Sequence, residues 1–333
     1  MKSLGIAIPT FNSQESLRDL LQSIVQSHLI DLCEKVVVTD DGSTDQTETI
    51  FTEFIKSTQQ PEKWKFLDQK NHLGRFRNRL AAAEYLKSEW VLFLDSRIEL
   101  PQDFSIKLSK SSETHSFLMG TVKINPQSSI FDLYWERTQQ WAFRGHYKKL
   151  NEGIWVDGKN YEQYMKGTGA LLCPRHIFIR ECVSFKKNLL SDDTYLLKKF
   201  AQKYKIYIPS NLFVKWHPRR TLIGFLARLY ERGPGFVEYH VLHHRGLYFY
   251  FFMFALICFA ATVAGLFLSP LLGLKCLFFL VATLAATTFL FSESLLEAVR
   301  LIPLHILSIA AYFIGSLVGL IKLTLFKRKT GTK

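Results

Sequence analysis

Acidic side chains stand in pairs or alone where short β-type runs end and where one helical pattern begins: Asp40-Asp41, Asp95 and Asp192-Asp193. Adjacent carboxylates repel unless a donor or a cation satisfies them, so Asp40 and Asp41 need such a partner; at Asp192-Asp193 capping a helix explains one carboxylate and leaves the other to be accounted for. A positioned carboxylate can take the proton of an attacking hydroxyl, and one that holds a divalent cation can stabilise a departing anion. Ser43, Thr44 and Asp45 follow a Gly-containing turn and read first as helix caps. His217, next to Trp216, is open to a structural or a ligand-holding reading.

These residues need a scaffold that brings distant segments together. Leu4-Gly5-Ile6-Ala7-Ile8 reads as a strand and Gln14 to Ser27, with Leu17, Leu20, Leu21 and Ile24 on one face, as a helix. Lys35 to Thr39, a helix from near Asp45, Trp64 to Leu67, a helix over Gly74 to Lys87, and Trp90 to Leu94 repeat the alternation. Gly167 to Cys173 reads as a further strand and Asp193 to Gln202 as a helix; Gln102 to Asn151 is less regular. Such alternation predicts an α/β domain with a mostly parallel sheet covered on both faces. Ligands bind such sheets at the carboxyl ends of the strands. The candidate site is therefore Pro9-Thr10-Phe11-Asn12, Asp40-Asp41-Gly42-Ser43-Thr44-Asp45 and Asp95-Ser96-Arg97.

The rest of the 333-residue chain is of another kind, with three apolar stretches at Tyr248 to Leu268, Leu271 to Phe291 and Leu301 to Ile321. Each has about the 20 residues needed to cross a bilayer core, and Ser269-Pro270 leaves only a tight turn between the first two. Pro303 near the start of the third, and the basic residues Lys322, Lys327, Arg328, Lys329 and Lys333 after it, leave open whether it crosses or lies in the interface. Gly315 and Gly319 have the spacing that permits close helix contact, and His305 reads as a polar contact in helix packing. The net charge is +13, with a basic cluster of Lys203, Lys205, Lys215, Arg219, Arg220, Arg228, Arg232 and Arg245 before the first stretch. There the expected partner is an anionic membrane surface and not nucleic acid. Thr221 to Arg232 is amphipathic in the manner of an interfacial helix. The five cysteines form no metal-ligand or disulfide pattern. The N-terminus lacks a signal-peptide core, so the front domain is expected in the cytoplasm.

The ordered set Ile8-Pro9-Thr10-Phe11-Asn12, Val38-Thr39-Asp40-Asp41-Gly42-Ser43-Thr44-Asp45, Asn71-His72-Leu73-Gly74 with Arg77-Asn78, Phe93-Leu94-Asp95, Gly167-Thr168-Gly169-Ala170, Asp192-Asp193-Thr194 and Trp216-His217 resembles the inverting family 2 glycosyltransferases of the GT-A fold. The tail through Arg232-Gly233-Pro234-Gly235 is similar to membrane-bound relatives of the succinoglycan type. The resemblance implies a Rossmann-like GT-A catalytic domain over residues 1–218, a basic interfacial link over 219–247, a membrane anchor of two to three helices over 248–326 and a basic tail over 327–333. It implies a nucleotide-sugar donor, a lipid-linked acceptor and an inner-membrane location. Thr10, Phe11 and Asp40 would hold base and ribose. Pro9, Asn12, Asp41, Gly74 and Arg77 would lie at the donor, and Asp95 would be the first carboxylate of the DxD motif. Asp193, with Asp192 secondary, would be the general base, and His217 would contact the diphosphate or metal.

Two positions depart from the family pattern. Asp192 replaces the usual Glu, and Arg97 replaces the second Asp of DxD. Arg97 either contacts phosphate directly or pairs with Glu99, leaving Asp95 and His217 to bind Mg²⁺ or Mn²⁺. The alternatives are transfer to polyprenyl phosphate, a nucleotidyltransferase of similar fold, and an inactive membrane scaffold.

Overall fold

The computed structural model describes residues 3–70, 72–165, 167–183, 190 and 192–329. They fall into two compact units: one runs to residue 125 and takes in 143–183 and 192–217, while the other holds 126–142 and 218–329.

In the first unit β1 (Leu4–Thr10), α1 (Leu17–Gln26), α2 (Leu29–Leu32), β2 (Lys35–Asp40), α3 (Thr47–Ser57), β3 (Trp64–Asp68), α4 (Arg75–Tyr85) and β4 (Trp90–Leu94) follow the alternation expected from the sequence. β1, β2, β3 and β4 pair in parallel. Their Val- and Ile-rich runs suit strands buried on both faces. Alternate residues serve opposite layers: Ile6, Ile8, Val36, Val38 and Leu92 pack with α1, whereas Ala7, Val37, Val91 and Phe93 pack on the side of α4. Fully burying one such side chain contributes roughly 1.5–3 kcal/mol, so the alternation fixes which way each strand end faces. The register sets Thr10 opposite Asp40, and Asp40 opposite Asp68, so the expected donor residues end level at one sheet edge.

Next come β5 (Ile98–Glu99), α5 (Phe104–Ser112), β6 (Leu118–Met119) and β7 (Thr121–Lys123). Then α6 (Ile130–Ala142), α7 (Arg144–Lys149), β8 (Ile154–Val156), β9 (Ala170–Pro174), α8 (Arg175–Val183), α9 (Asp192–Tyr204), β10 (Ile206–Ile208) and β11 (Phe213–Trp216) lead to the end of this unit. The main sheet has the order β3-β2-β1-β4-β9-β6-β10-β8. It is mostly parallel, with β9 antiparallel to both β4 and β6 and β8 antiparallel to β10. A small second sheet, β5-β11-β7, sets Trp216 opposite Ile98. The irregular stretch around Phe131 to Tyr147 is helical, and its first half, α6, belongs to the second unit.

The second unit is completed by α10 (Leu222–Phe236), a π-helical extension over Val237–His243, α11 (Leu247–Leu268), α12 (Pro270–Thr287) and α13 (Leu295–Lys329). Thr221 caps α10 by accepting from the Gly224 amide at 3.2 Å. Among the described residues three helical stretches, Leu247–Leu268, Pro270–Leu290 and Leu295–Leu325, are long and apolar enough to cross a membrane. Phe225 and Leu229 of α10 pack with Tyr134 of α6 and with Leu301 and Leu304 of α13. Arg137, nearly buried in α6, meets Glu293 at 2.6 Å and Glu297 at 2.8 Å. His305 is a packing contact, its two ring nitrogens 3.0 Å from the Tyr134 hydroxyl and 2.9 Å from that of Thr287.

Candidate active site

The loop after β1 and the loop after β2 hold each other. Asn12, in the left-handed region at φ 48°, donates its amide to Ser43 Oγ at 2.8 Å and accepts the Thr44 amide on Oδ1 at 2.9 Å. The buried Asp40 carboxylate takes the Ser43 amide at 2.7 Å and its hydroxyl at 2.5 Å. Burial raises the Asp40 pKa, with the Ser43 hydrogen bonds opposing. Asp45 accepts the Thr47 amide at the start of α3 at 3.0 Å, but the N-cap position itself is Gln46, so none of Ser43, Thr44 and Asp45 is the helix cap that the sequence suggests. Thr10, buried at the end of β1, has a hydroxyl without a hydrogen-bond partner among the described residues. Pro9 lies beneath it within the strand.

Asp41 does different work. Its carboxylate accepts the Leu73 amide at 2.8 Å and the Gly74 amide at 3.0 Å, with His72 Nδ1 also 3.0 Å away. It pins the loop ahead of α4, where Gly74 at φ 87° adopts a backbone conformation that side chains disfavour. His72 is thereby set against Phe11, ring centroids 4.5 Å apart. Phe11 is 41% exposed at the sheet edge, an aromatic face suited to a planar ring.

At the end of β4, Asp95 Oδ1 accepts the Arg97 amide at 3.0 Å, and the neighbouring Ser96 hydroxyl is 2.8 Å from that of Ser13. The small sheet brings β11 alongside, and the His217 amide donates to the Arg97 carbonyl at 3.0 Å. Glu99 is engaged by Lys215 at 2.7 Å and by His217 Nε2 at 3.4 Å, so its charge is matched by β11. Lys215 is the first of these influences to lower the Glu99 pKa against the opposing effect of burial.

The segment entering β9 links two carboxylates. The Asp95 amide donates to the Gly169 carbonyl at 3.1 Å, and Thr168 Oγ1 donates to Asp193 Oδ2 at 3.3 Å. Asp193, at the head of α9, is ion-paired with the buried Arg79, and Arg75 stands 3.8 Å away. Burial pushes the Asp193 pKa up, but Arg79 and then Arg75 outweigh it and hold the carboxyl below its ordinary value. Arg75 and Arg79 are one helical turn apart on α4; Arg77, about 200° round from Arg75, is exposed. The arginines that face Asp193 are thus neighbours of the one expected at the donor. Asn78 instead braces the strand ends, giving its side-chain amide to the Thr39 carbonyl at 2.8 Å. Asn71 and the side chain of Asp192 lie outside the described residues.

Among the described residues no group of three or more His, Cys, Asp and Glu side chains is placed to hold a metal ion. Magnesium is usually held by one or two carboxylates together with substrate phosphates. Asp95 offers such a carboxylate at a strand end. His217 is directed at Glu99. The Asp95 carboxylate is of the kind that could hold a cation arriving with a diphosphate.

Residues 5–180 match the family model of Glycosyl transferase family 2. The chain belongs to this family. Among family 2 enzymes it is similar, at 28% identity over 131 residues, to the GalNAc(5)-diNAcBac-PP-undecaprenol beta-1,3-glucosyltransferase of Campylobacter jejuni subsp. jejuni, the match covering 39% of this chain and 41% of that one. It is similar, at 26% identity over 134 residues, to the undecaprenyl-phosphate 4-deoxy-4-formamido-L-arabinose transferase of Photorhabdus laumondii subsp. laumondii, covering 39% and 40%. The chain therefore spans about two fifths of the length of the curated relatives it matches. In structure it resembles the mannosyltransferase PcManGT of Pyrobaculum calidifontis, solved with GDP-Man and Mn²⁺, at TM-score 0.55 and 16% identity, covering 95% of this chain and 86% of that one. It also resembles S. aureus TarS 1–349, solved with UDP-GlcNAc, at TM-score 0.50 and 17% identity, covering 94% and 89%. These likenesses establish the GT-A fold of this family 2 chain.

Proposed function

We propose that the chain is a membrane-bound inverting glycosyltransferase. It moves a sugar from a nucleotide-sugar donor to a lipid-linked acceptor at the cytoplasmic face of the inner membrane, in cell-surface polysaccharide or glycolipid synthesis. The observation that carries this reading is the convergence of Asp40, Asp95 and Asp193 beside the ends of β2 and β4 and the entry to β9, in a chain of this family. Phe11 and Asp40 receive the base and ribose, with Pro9, Thr10 and Asn12 shaping the floor and Asp41 and Gly74 positioning the rim. Arg77 is placed at the donor's outer side.

In the reaction Asp193, with Asp192 beside it in sequence, accepts the acceptor's hydroxyl proton as that oxygen bonds to the anomeric carbon. The bond from that carbon to the diphosphate breaks, and the electron pair leaves with the nucleoside diphosphate. A divalent cation held by Asp95 would supply Lewis-acid stabilisation of the leaving charge. Arg97 donates to phosphate oxygens directly, and His217 holds Glu99 beside it.

The arginine-bound state of Asp193 favours a second reading, transfer to polyprenyl phosphate. A phosphate nucleophile is already ionised and needs no base, and Arg75 and Arg79 are suited to holding it. One experiment tests both: the purified full chain is screened for thermal stabilisation by a panel of nucleotide sugars, and the stabilising donor is then offered polyprenyl phosphate or a polyprenyl-diphosphate saccharide. Transfer to the saccharide supports the first reading, and transfer to the phosphate the second. No stabilisation and no transfer across the panel would leave the chain an inactive scaffold.

A further inference from the structure

α13 is 35 residues long, about 50 Å at 1.5 Å per residue, whereas a bilayer core is about 30 Å thick. Its apolar window is 33% buried within the protein, and those of α11 and α12 are 11% buried each. The element that covers it is α10 with its π-helical extension. Contact begins where Phe225 meets Leu301 and Leu304. It tightens at the two glycines: a Cβ on Gly315 would stand 2.2 Å from the Tyr230 carbonyl oxygen, and one on Gly319 would stand 2.5 Å from the Pro234 Cα. It continues where Val237 and Val241 pack with Phe313, Leu317, Leu320 and Leu323.

Nearly the whole apolar length of α13 is therefore accompanied by a second helix, and that helix is charged. Arg228, Glu231, Arg232 and Glu238 lie along it. Arg228 and Glu231 pair at 3.2 Å on a side that is one third to one half exposed. Charged side chains are disfavoured at the centre of a bilayer, so α13 cannot cross in this arrangement without carrying those groups with it. α11 and α12 carry no charged helix along their length; α11 meets α13 where Phe252 and Phe259 pack on Phe313, ring centroids 6.1 and 5.6 Å apart. α11 and α12 meet each other at the Ser269 turn, where a Cβ on Gly265 would be 3.2 Å from the Gly273 Cα.

We infer that α11 and α12 alone cross the membrane, as a hairpin, and that α13 lies with α10 in the interfacial layer. Its uncovered residues Leu296, Val299, Leu307, Ile314 and Ile321 rest on lipid, and the C-terminus stays on the side from which α11 enters. Lys322 then meets the anionic cytoplasmic leaflet, the side that the basic run following it in the sequence favours. The inference rests on the membrane-bound reading given under Proposed function.

The full chain, with its five cysteines replaced by serine or alanine, is given either Ser269→Cys or a cysteine appended after residue 333. Each variant is labelled with a membrane-impermeant maleimide in sealed cells and in inverted vesicles. Ser269→Cys should label from the outer face and the appended cysteine only from the cytoplasmic face. Outer-face labelling of the appended cysteine overturns the interfacial placement of α13. Labelling of Ser269→Cys from the cytoplasmic face alone overturns the hairpin and, with it, the membrane-spanning reading, whatever the C-terminus does. The otherwise native chain with a C-terminal green fluorescent protein or alkaline phosphatase gives an independent readout: fluorescence without phosphatase activity is expected, and the reverse refutes the placement.

Discussion

At Asp193 the base chemistry and the ion pair make separable demands. If a hydroxyl is the nucleophile, Asp193→Asn should lower kcat by at least 100-fold while the donor's Kd changes little, because the shape survives and the base does not. Retained turnover with polyprenyl phosphate would show that no base is needed. Arg79→Ala removes the leading influence that lowers the Asp193 pKa and leaves Arg75 and Thr168 against burial, which raises it. Where Asp193 acts as the base, the acidic limb of the pH–rate profile should therefore move to higher pH, and an unmoved limb would argue against that role. Arg97→Ala should raise the donor's Kd, and Arg97→Asp should make activity more dependent on Mg²⁺ or Mn²⁺. Full loss of wild-type activity in chelator with unchanged donor affinity in Arg97→Ala would remove Arg97 from the phosphates. Asp40, Asp95 and Asp193 were legible in the sequence because carboxylates at strand and helix ends require partners. Arg75 and Arg79 were not, since arginines one turn apart read as a solvated face until α9 is known to oppose them. Asp41 was legible as a carboxylate in need of donors, but not as one satisfied by the Leu73 and Gly74 amides.

Elements with a strong period could be read in advance, and those without one could not. β1, β2, β4 and the helices between them carry uninterrupted β-branched runs or one apolar face, whereas β5, β7 and β11 are two to four residues long and leave no periodic trace. α6 is the exception: Phe131, Tyr134 and Trp135 stand at i, i+3 and i+4 on one face, a helical period present within the stretch that reads as irregular. The amphipathic face of α10 was visible, but its partner was not, and Gly315 and Gly319 gain their meaning from it. Gly315→Leu should force α10 and α13 apart at a cost of about 1–3 kcal/mol or more, measurable as a lower Tm in detergent. A second element-scale contact is the junction of α8 and α9. Glu181 is buried with Lys199 at 2.7 Å, Lys203 at 3.0 Å and Tyr204 Oη at 3.0 Å. Burial raises its pKa, and these partners more than reverse the effect, to about 2. A depressed carboxylate stabilises the fold above its unfolded value, near 4.5, and that contribution is lost as pH falls from there through about 2. Glu181→Gln should destabilise by on the order of 2 kcal/mol at neutral pH, with the deficit shrinking in acid; a deficit that is constant with pH would contradict the assignment.

For the molecule as a whole, the two units are not two successive lengths of chain. Residues 126–142 leave the first unit and return to it, so the second is built from a middle segment and a C-terminal one. A chain truncated after Phe291 should fail to reach the monodisperse state of the full-length protein on extraction, because Arg137 loses Glu293 and Glu297 and α6 loses Leu301 and Leu304. Arg137 then keeps its pair with Glu136 at 3.0 Å, and equal yields for the truncated and full chains would show that α6 is indifferent to α13. The same arrangement sets a timetable for biosynthesis. Glu293, Glu297 and His305 are 156, 160 and 171 residues downstream of their α6 partners, so at roughly 5–20 residues per second α6 emerges from the ribosome between about 8 and 30 s before the groups that complete it. Arg220 and then Phe225 reach α6 sooner, Arg220 being 88 residues downstream of Asp132, but until α13 follows the face that receives Leu301 and Leu304 stays uncovered, which makes it a surface that a holdase chaperone or the nearby membrane must shelter.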